Sequence, residues 1–134
     1  MDSLDKKIEK FLAASAFATV GASRHSYKYG YKVHKCYQQN SRKSYPINPR
    51  EQEVLGDKVY PRLADLPETV KSISVITPPD VTEMVVEDAI EHGVESIWMQ
   101  PGAESEDAVT KAEAAGIEVI HGGACLLVVL GYRE

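Results

Sequence analysis

Apolar residues fall into short runs separated by longer stretches with helical spacing. Leu4, Ile8, Phe11 and Leu12 share one face behind Ser3, whose hydroxyl suits an N-cap, so a helix is predicted over 3–14. Phe17–Val20 is a short strand. From Gly30 onward Tyr31, Val33, His34 and Tyr37 recur at helical spacing, and Asn40-Ser41 ends that helix. Ser44–Ile47 is a second strand, and Pro46 inside it points to a sheet edge, where a missing N–H is tolerated. Ser72–Ile76 alternates and is rich in β-branched residues, which gives a third strand. Asp80–His92 follows as a helix with Val81, Met84, Val85, Ala89 and Ile90 inward and Gly93 closing it. Ser96–Met99 is a fourth strand, Glu104–Ala115 a helix, and Ile117–Ile120 a fifth strand. The apolar run that ends at Leu130 reads as a last buried strand or as an exposed interface. Strands alternating with helices at this spacing predict right-handed βαβ units. The expected fold is three-layer α/β: an open, mostly parallel sheet of five or six strands with helices on both faces.

Composition narrows the class. A chain of 134 residues, 43% hydrophobic and 26% charged, is expected to form one domain over 1–134, with an N-terminal helix in 1–15 and the core in 17–130. Its net charge of -5 argues against nucleic acid as a partner. Cys36 and Cys125 lie far apart and suggest reduced thiols rather than a disulfide framework. Met1–Lys10 has no apolar secretory core, and Ala124–Leu130 is too short to span a membrane. A cytoplasmic protein with no membrane association is the expectation.

Candidate chemistry gathers where strands end, because ligands of open α/β sheets bind beyond the carboxyl ends at the topological switch point. Gly21-Ala22-Ser23-Arg24 ends the first strand: the glycine admits an anion, the serine offers a hydroxyl and an N–H, and the arginine a charged fork. A tight strand-to-helix turn alone would also explain Gly21. Arg24, His25 and Lys28 supply local positive charge before Gly30, and Tyr27 and Tyr29 either wall a pocket or pack on the loop. The second strand ends in Asn48-Pro49-Arg50, with no acid before Glu51, so the carboxylate that holds a free ribose diol in NAD sites is missing. Arg50 suits a phosphorylated ribose, as in CoA or NADP. The glycine fingerprint of dinucleotide sites is absent, since after Gly21 the next glycine is Gly30.

No catalytic constellation emerges. His121 and Cys125 lack partners for a metal site, and Cys125, opening an apolar run, reads as structural. Glu104 and Glu106 open a helix, where acids favour the dipole.

Several linked segments resemble a known family. They are Val20-Gly21-Ala22-Ser23, Gly30-Tyr31-Lys32-Val33, Tyr45-Pro46-Ile47-Asn48-Pro49, Leu55-Gly56, Tyr60 to Pro67, and Ile97-Trp98-Met99-Gln100-Pro101-Gly102. Together they look like the small stand-alone CoA-binding proteins, whose domain is similar to the N-terminal CoA-binding domain of the succinyl-CoA synthetase α subunit. The resemblance runs from about Phe11 to Leu130. It implies a Rossmann-like fold holding CoA across the strand tips. Gly21, Ala22, Ser23 and Arg24 would meet the CoA phosphates, and Asn48, Pro49 and Arg50 the adenosine 3′-phosphate. Thr77 and Pro78 would border the nucleotide, and Gln100, Pro101 and Gly102 the pantetheine. The chain departs from the family at Gly122-Gly123-Ala124-Cys125, where a polar or charged pair is common before the cysteine. The synthetase's catalytic histidine lies in a second domain. The resemblance therefore implies a non-catalytic sensor or carrier of CoA or an acyl-CoA, possible as a homodimer or with a protein partner. The rival expectations are an NADP-dependent reductase and the CoA-binding subunit of a larger acyl-CoA ligase assembly.

Overall fold

The computed structural model describes residues 3–134, so Met1 and Asp2 of the expected N-terminal segment lie outside the described residues. Helix α1 (Leu4–Leu12) starts at Ser3, whose Oγ accepts from the Lys6 N–H at 3.3 Å. Then come β1 (Phe17–Val20), α2 (Tyr29–Gln39) and β2 (Ser44–Ile47). A small hairpin, β3 (Glu53–Val54) and β4 (Asp57–Lys58), and a 3-10 turn at Leu63–Asp65 fill the next connection. The chain ends with β5 (Ser72–Val75), α3 (Pro79–Glu91), β6 (Ser96–Met99), α4 (Glu106–Ala114), β7 (Glu118–Ile120) and α5 (Leu126–Leu130). Five strands form one sheet in the order β2-β1-β5-β6-β7, and every pairing is parallel. This is the expected Rossmann-like α/β fold, at five strands rather than six.

Helices cover both faces. On one side Ile73, Val75, Ile97 and Met99 pack under α3 and α4 through Val86, Ala89, Ala108 and Ala112. On the other, Phe11, Phe17, Tyr37 and Trp98 form an aromatic layer beneath α1, α2 and α5. Phe17 stacks on Tyr37 at 5.0 Å, and Phe11 meets Trp98 edge-on at 5.3 Å. Sheet residues β1, β5 and β6 are buried throughout, so Ser72–Val75 does not alternate in exposure as its sequence suggests: a central parallel strand is covered on both faces. Pro46 does lie on an edge strand, whose outer side meets Tyr60, bridged to Ile47.

Two elements differ from expectation. The run after Cys125 is neither a sixth strand nor buried along its length. Gly122 and Gly123 take positive φ, the Leu126 N–H is captured by the Gln100 side chain, and Gly131 ends the helix in the left-handed region. Leu126 is buried and Val128 is 80% exposed, so the segment turns as a helix with one face in the aromatic layer. The inward face of α3 is also rotated: Thr82, Val85, Val86 and Ala89 are buried, whereas Val81, Met84 and Ile90 are exposed. Among the described residues no helix is long and apolar enough to cross a membrane.

The hairpin is anchored by an acid-sensitive contact. Leu55 and Gly56 both take positive φ, as a two-residue type I′ turn requires, and this aims Asp57 at α2. Asp57 Oδ2 lies 2.7 Å from Nε2 of the fully buried His34 and accepts from Gln38 Nε2 at 3.0 Å. The carboxylate fixes the ring proton on Nε2, while Nδ1 is buried without a partner. Burial lowers the His34 pKa, and Asp57 opposes this without cancelling it. Below the ordinary imidazole pKa of about 6.5, the unfolded chain takes up a proton that the folded chain refuses. Stability is therefore full above that pH and is lost as pH falls below it. Thermal midpoints should decline from pH 7 toward pH 5, and His34→Gln should flatten the decline. An unchanged slope in that variant would remove His34 as its source.

Candidate functional site

A cavity of about 810 Å³ opens beyond the carboxyl ends of β1, β2 and β5. The chain builds β1, then β2 on one side, and returns to place β5 on the other, so this is the switch point of the sheet. Gly21, Ser23, Lys28, Gly30, Asn48, Pro49, Arg50, Thr77 and Pro78 all line it. Of the residues singled out from sequence, Ala22, Arg24, Gln100, Pro101 and Gly102 do not.

The loop from β1 to α2 depends on two glycines. Gly21 has φ +97°, and a Cβ there would lie 2.5 Å from the Ile76 carbonyl oxygen. At Gly30 a Cβ would lie 2.0 Å from the carbonyl oxygen of Gly21 itself. Helix α2 can therefore approach the strand end closely only because position 30 has no side chain. Its first turn carries no acid and Lys28 caps it without a side-chain bond, so its N-terminal N–H groups are left for a ligand. The N–H groups of Gly21 and Ala22 are otherwise engaged: both donate to the Ile47 carbonyl, at 2.9 and 3.2 Å. Ala22 is completely buried against Val54 of the hairpin and Val59 just after it. In this loop Ser23 lines the cavity, and its Oγ accepts the His25 N–H at 3.1 Å. Arg24 turns outward and pairs with Glu51, whose carboxylate accepts the Arg24 N–H at 2.7 Å and lies 3.4 Å from Nε. Tyr29 walls the cavity, and Tyr27, 73% exposed, does not.

At the tip of β2, Asn48 organises rather than points. Its Nδ2 donates to Ala22 O at 2.8 Å, and its Oδ1 accepts from the Arg50 N–H at 2.8 Å. One side chain thus ties the first loop to the backbone of Arg50. Lys28, Arg50 and Arg62 border the cavity and have no carboxylate within ion-pair distance among the described residues. In a protein of net charge -5, three such cations in one cavity, beside the carboxylates of Glu51 and Asp88, concentrate positive charge locally. Arg62 was not singled out from sequence, yet it lines the same cavity. The signal was present in Tyr60-Pro61-Arg62, but the path that returns this segment to the cavity that Arg50 also lines runs through the β3–β4 hairpin.

The tip of β6 serves structure. Gln100 is wholly buried: its Oε1 accepts from Leu126 N–H at 2.9 Å and from the Tyr29 hydroxyl at 3.3 Å, while Nε2 is buried without a partner. The Gly102 N–H donates to Glu104 Oε1 at 3.1 Å, and the Gly122 N–H to Glu104 Oε2 at 3.0 Å, so one carboxylate clasps two strand ends. Cys125 makes a short contact with the Tyr29 hydroxyl, and burial followed by Cys125 raises the pKa of that phenol. Cys36 is buried in the aromatic layer, and burial first, then Cys125, pushes its thiol up to about 11, which keeps it protonated and inert at neutral pH.

An open parallel sheet with its cavity at the switch point, a glycine-dependent loop and unpaired cations defines a Rossmann-like domain for a phosphorylated cofactor. The particular family follows from comparison: the profile described as "CoA binding domain" matches residues 15–131, and the chain belongs to that family, whose ligand is coenzyme A. It is 30% identical over 91 residues to the acetate–CoA ligase [ADP-forming] II subunit alpha of Pyrococcus furiosus, a match covering 67% of this chain and 20% of that protein. A hypothetical protein from Pyrococcus horikoshii OT3 superimposes with TM-score 0.88 at 28% identity, covering 95% of this chain and 89% of the other. The dinucleotide-forming acetyl-coenzyme A synthetase 1 of Ca. Korarchaeum cryptofilum, in complex with phosphate and ADP, gives TM-score 0.72 at 31% identity, covering 80% of this chain and 25% of that one. The chain spans 13–20% of the length of the curated ligases it matches.

Proposed function

We propose that residues 1–134 act as one cytoplasmic unit that holds CoA or an acyl-CoA in this cavity as a sensor or carrier, without catalysis of its own. The observation that carries the reading is the set of unpaired cations, Lys28, Arg50 and Arg62, around a cavity with no acid at the tip of β2 before Glu51. Ser23, Lys28 and the first turn of α2 take the diphosphate, and Arg50, set by Asn48, takes the 3′-phosphate. Gly21 and Gly30 act by letting backbone approach, and Ala22 by anchoring the loop on the hairpin. Thr77 and Pro78 border the nucleoside. The pantetheine arm leaves the cavity over β6, passing Pro101 and Gly102 at its exposed tip, with Gln100 supporting them from below.

A second reading, favoured by the ligase names of the matched relatives, is that this unit docks into a larger acyl-CoA ligase assembly through α5 or pairs with its own copy. Co-purification of a stoichiometric large partner would favour that over a free carrier.

Thermal unfolding with CoA, acetyl-CoA, NADPH and NAD tests the reading directly. A ligand held only by the folded chain raises the midpoint once its concentration passes Kd, by about 2.7 kcal/mol at a hundred times Kd. CoA and acetyl-CoA should raise it and NAD should not. A shift with NADPH and none with either CoA species would restore the reductase alternative and end this one.

A further inference from the structure

The flank of α3 that borders the cavity has the wrong composition for a face turned to water. Val81, Met84, Val85 and Asp88 stand at i, i+3, i+4 and i+7, so they form one stripe along the helix. The sheet-facing side is already supplied by Thr82, Val85, Val86 and Ala89, yet Val81 and the 67% exposed Met84 remain apolar. Pro49 and Pro61 line the same cavity, so flat apolar surface is available on more than one side.

Asp88 ends the stripe. Its carboxylate has no ion-pair partner among the described residues, and the His92 ring meets its backbone carbonyl rather than its carboxylate. At 1.5 Å per residue it lies about 10 Å along α3 beyond Val81, away from the strand end where α3 begins. A carboxylate repels phosphate and can only accept hydrogen bonds. What belongs against this end is a hydrogen-bond donor carried on a flat apolar body.

We propose that Asp88 accepts from the exocyclic amine of an adenine base packed on Val81 and Met84, which makes this stripe the base-selecting wall of the site. The inference rests on the CoA reading above and deepens it. A ribose hydroxyl is the other donor on the same nucleotide, and the experiment separates the two.

Calorimetric titration of wild type, Asp88→Ala and Asp88→Asn would use three probes: CoA, its analogue with the adenine amino group replaced by hydrogen, and its 2′-deoxy analogue. Removing the amine should weaken binding to wild type by about tenfold, and to Asp88→Ala by less than about twofold. Asp88→Asn keeps a carbonyl acceptor and should retain part of the preference. Removing the 2′-hydroxyl should cost the same in wild type and Asp88→Ala. Equal losses of the amine in both proteins, or coupling of Asp88 to the 2′-hydroxyl instead, would overturn the assignment. Wild type that binds CoA without this coupling overturns the role of Asp88 alone, whereas wild type that binds no CoA overturns the parent reading as well.

Discussion

Gly30→Ala is expected to abolish ligand binding and to lower the thermal midpoint by more than about 10 °C. The added Cβ would sit 2.0 Å from the Gly21 carbonyl oxygen, with the Ala22 Cα at 3.2 Å, and both obstacles are backbone. Relief requires α2 to withdraw from the end of β1, carrying Tyr37 and Val33 out of the aromatic layer. Overpacking against atoms that cannot rotate away costs on the order of 3 kcal/mol or more, and a domain of this size loses roughly 4 °C per kcal/mol. Gly116→Ala is the control: its φ is also positive, at +85°, but no atom lies within 4 Å of the added Cβ. It should cost only the left-handed penalty of about 1 kcal/mol. If the two variants unfold together, the close approach of α2 to the loop is not what position 30 protects.

Arg50→Ala should weaken CoA by about 30-fold while changing dephospho-CoA less than about threefold. The contrast follows from the cation's lack of a carboxylate within ion-pair distance among the described residues and from the turn in which Asn48 holds the Arg50 N–H. Arg62 offers an internal comparison in the same cavity. A variant there that loses both ligands equally serves the diphosphate, and one that follows Arg50 shares the 3′-phosphate. Equal losses of the two ligands in Arg50→Ala would detach that residue from the 3′-phosphate.

The sequence carried the sheet well because each main strand is a short apolar run stopped by glycine, proline or a polar tip. Pro46 even marked the edge. Less legible were features decided by neighbours. The face of α3 was misjudged because Val81 and Met84 satisfy helical periodicity, although they border a cavity and Thr82 takes the buried position with its hydroxyl bonded to Thr77 and the Pro78 carbonyl. The run Leu126–Leu130 has the composition of a strand, but a captured N–H at its start and Gly131 at its end close it into a helix. At the site, residue type singled out Gly21, Ser23, Lys28 and Arg50, which the fold brings to the cavity, yet it could not reveal that Ile47 already uses two of the loop's N–H groups. Nor could it show that Glu51 draws Arg24 outward, since both contacts join segments distant in sequence.

The cavity stands at an edge of the sheet. β2 has a strand partner on one side only, Pro46 gives it no N–H, and its tip supplies Asn48, Pro49 and Arg50. Local opening begins at such margins, well before global unfolding. Because Asn48 joins that tip to the first loop, a departure of the edge would disturb both segments of the cavity wall together. If the proposed CoA reading holds, a bound cofactor bridging the two would act as a fastener for that margin.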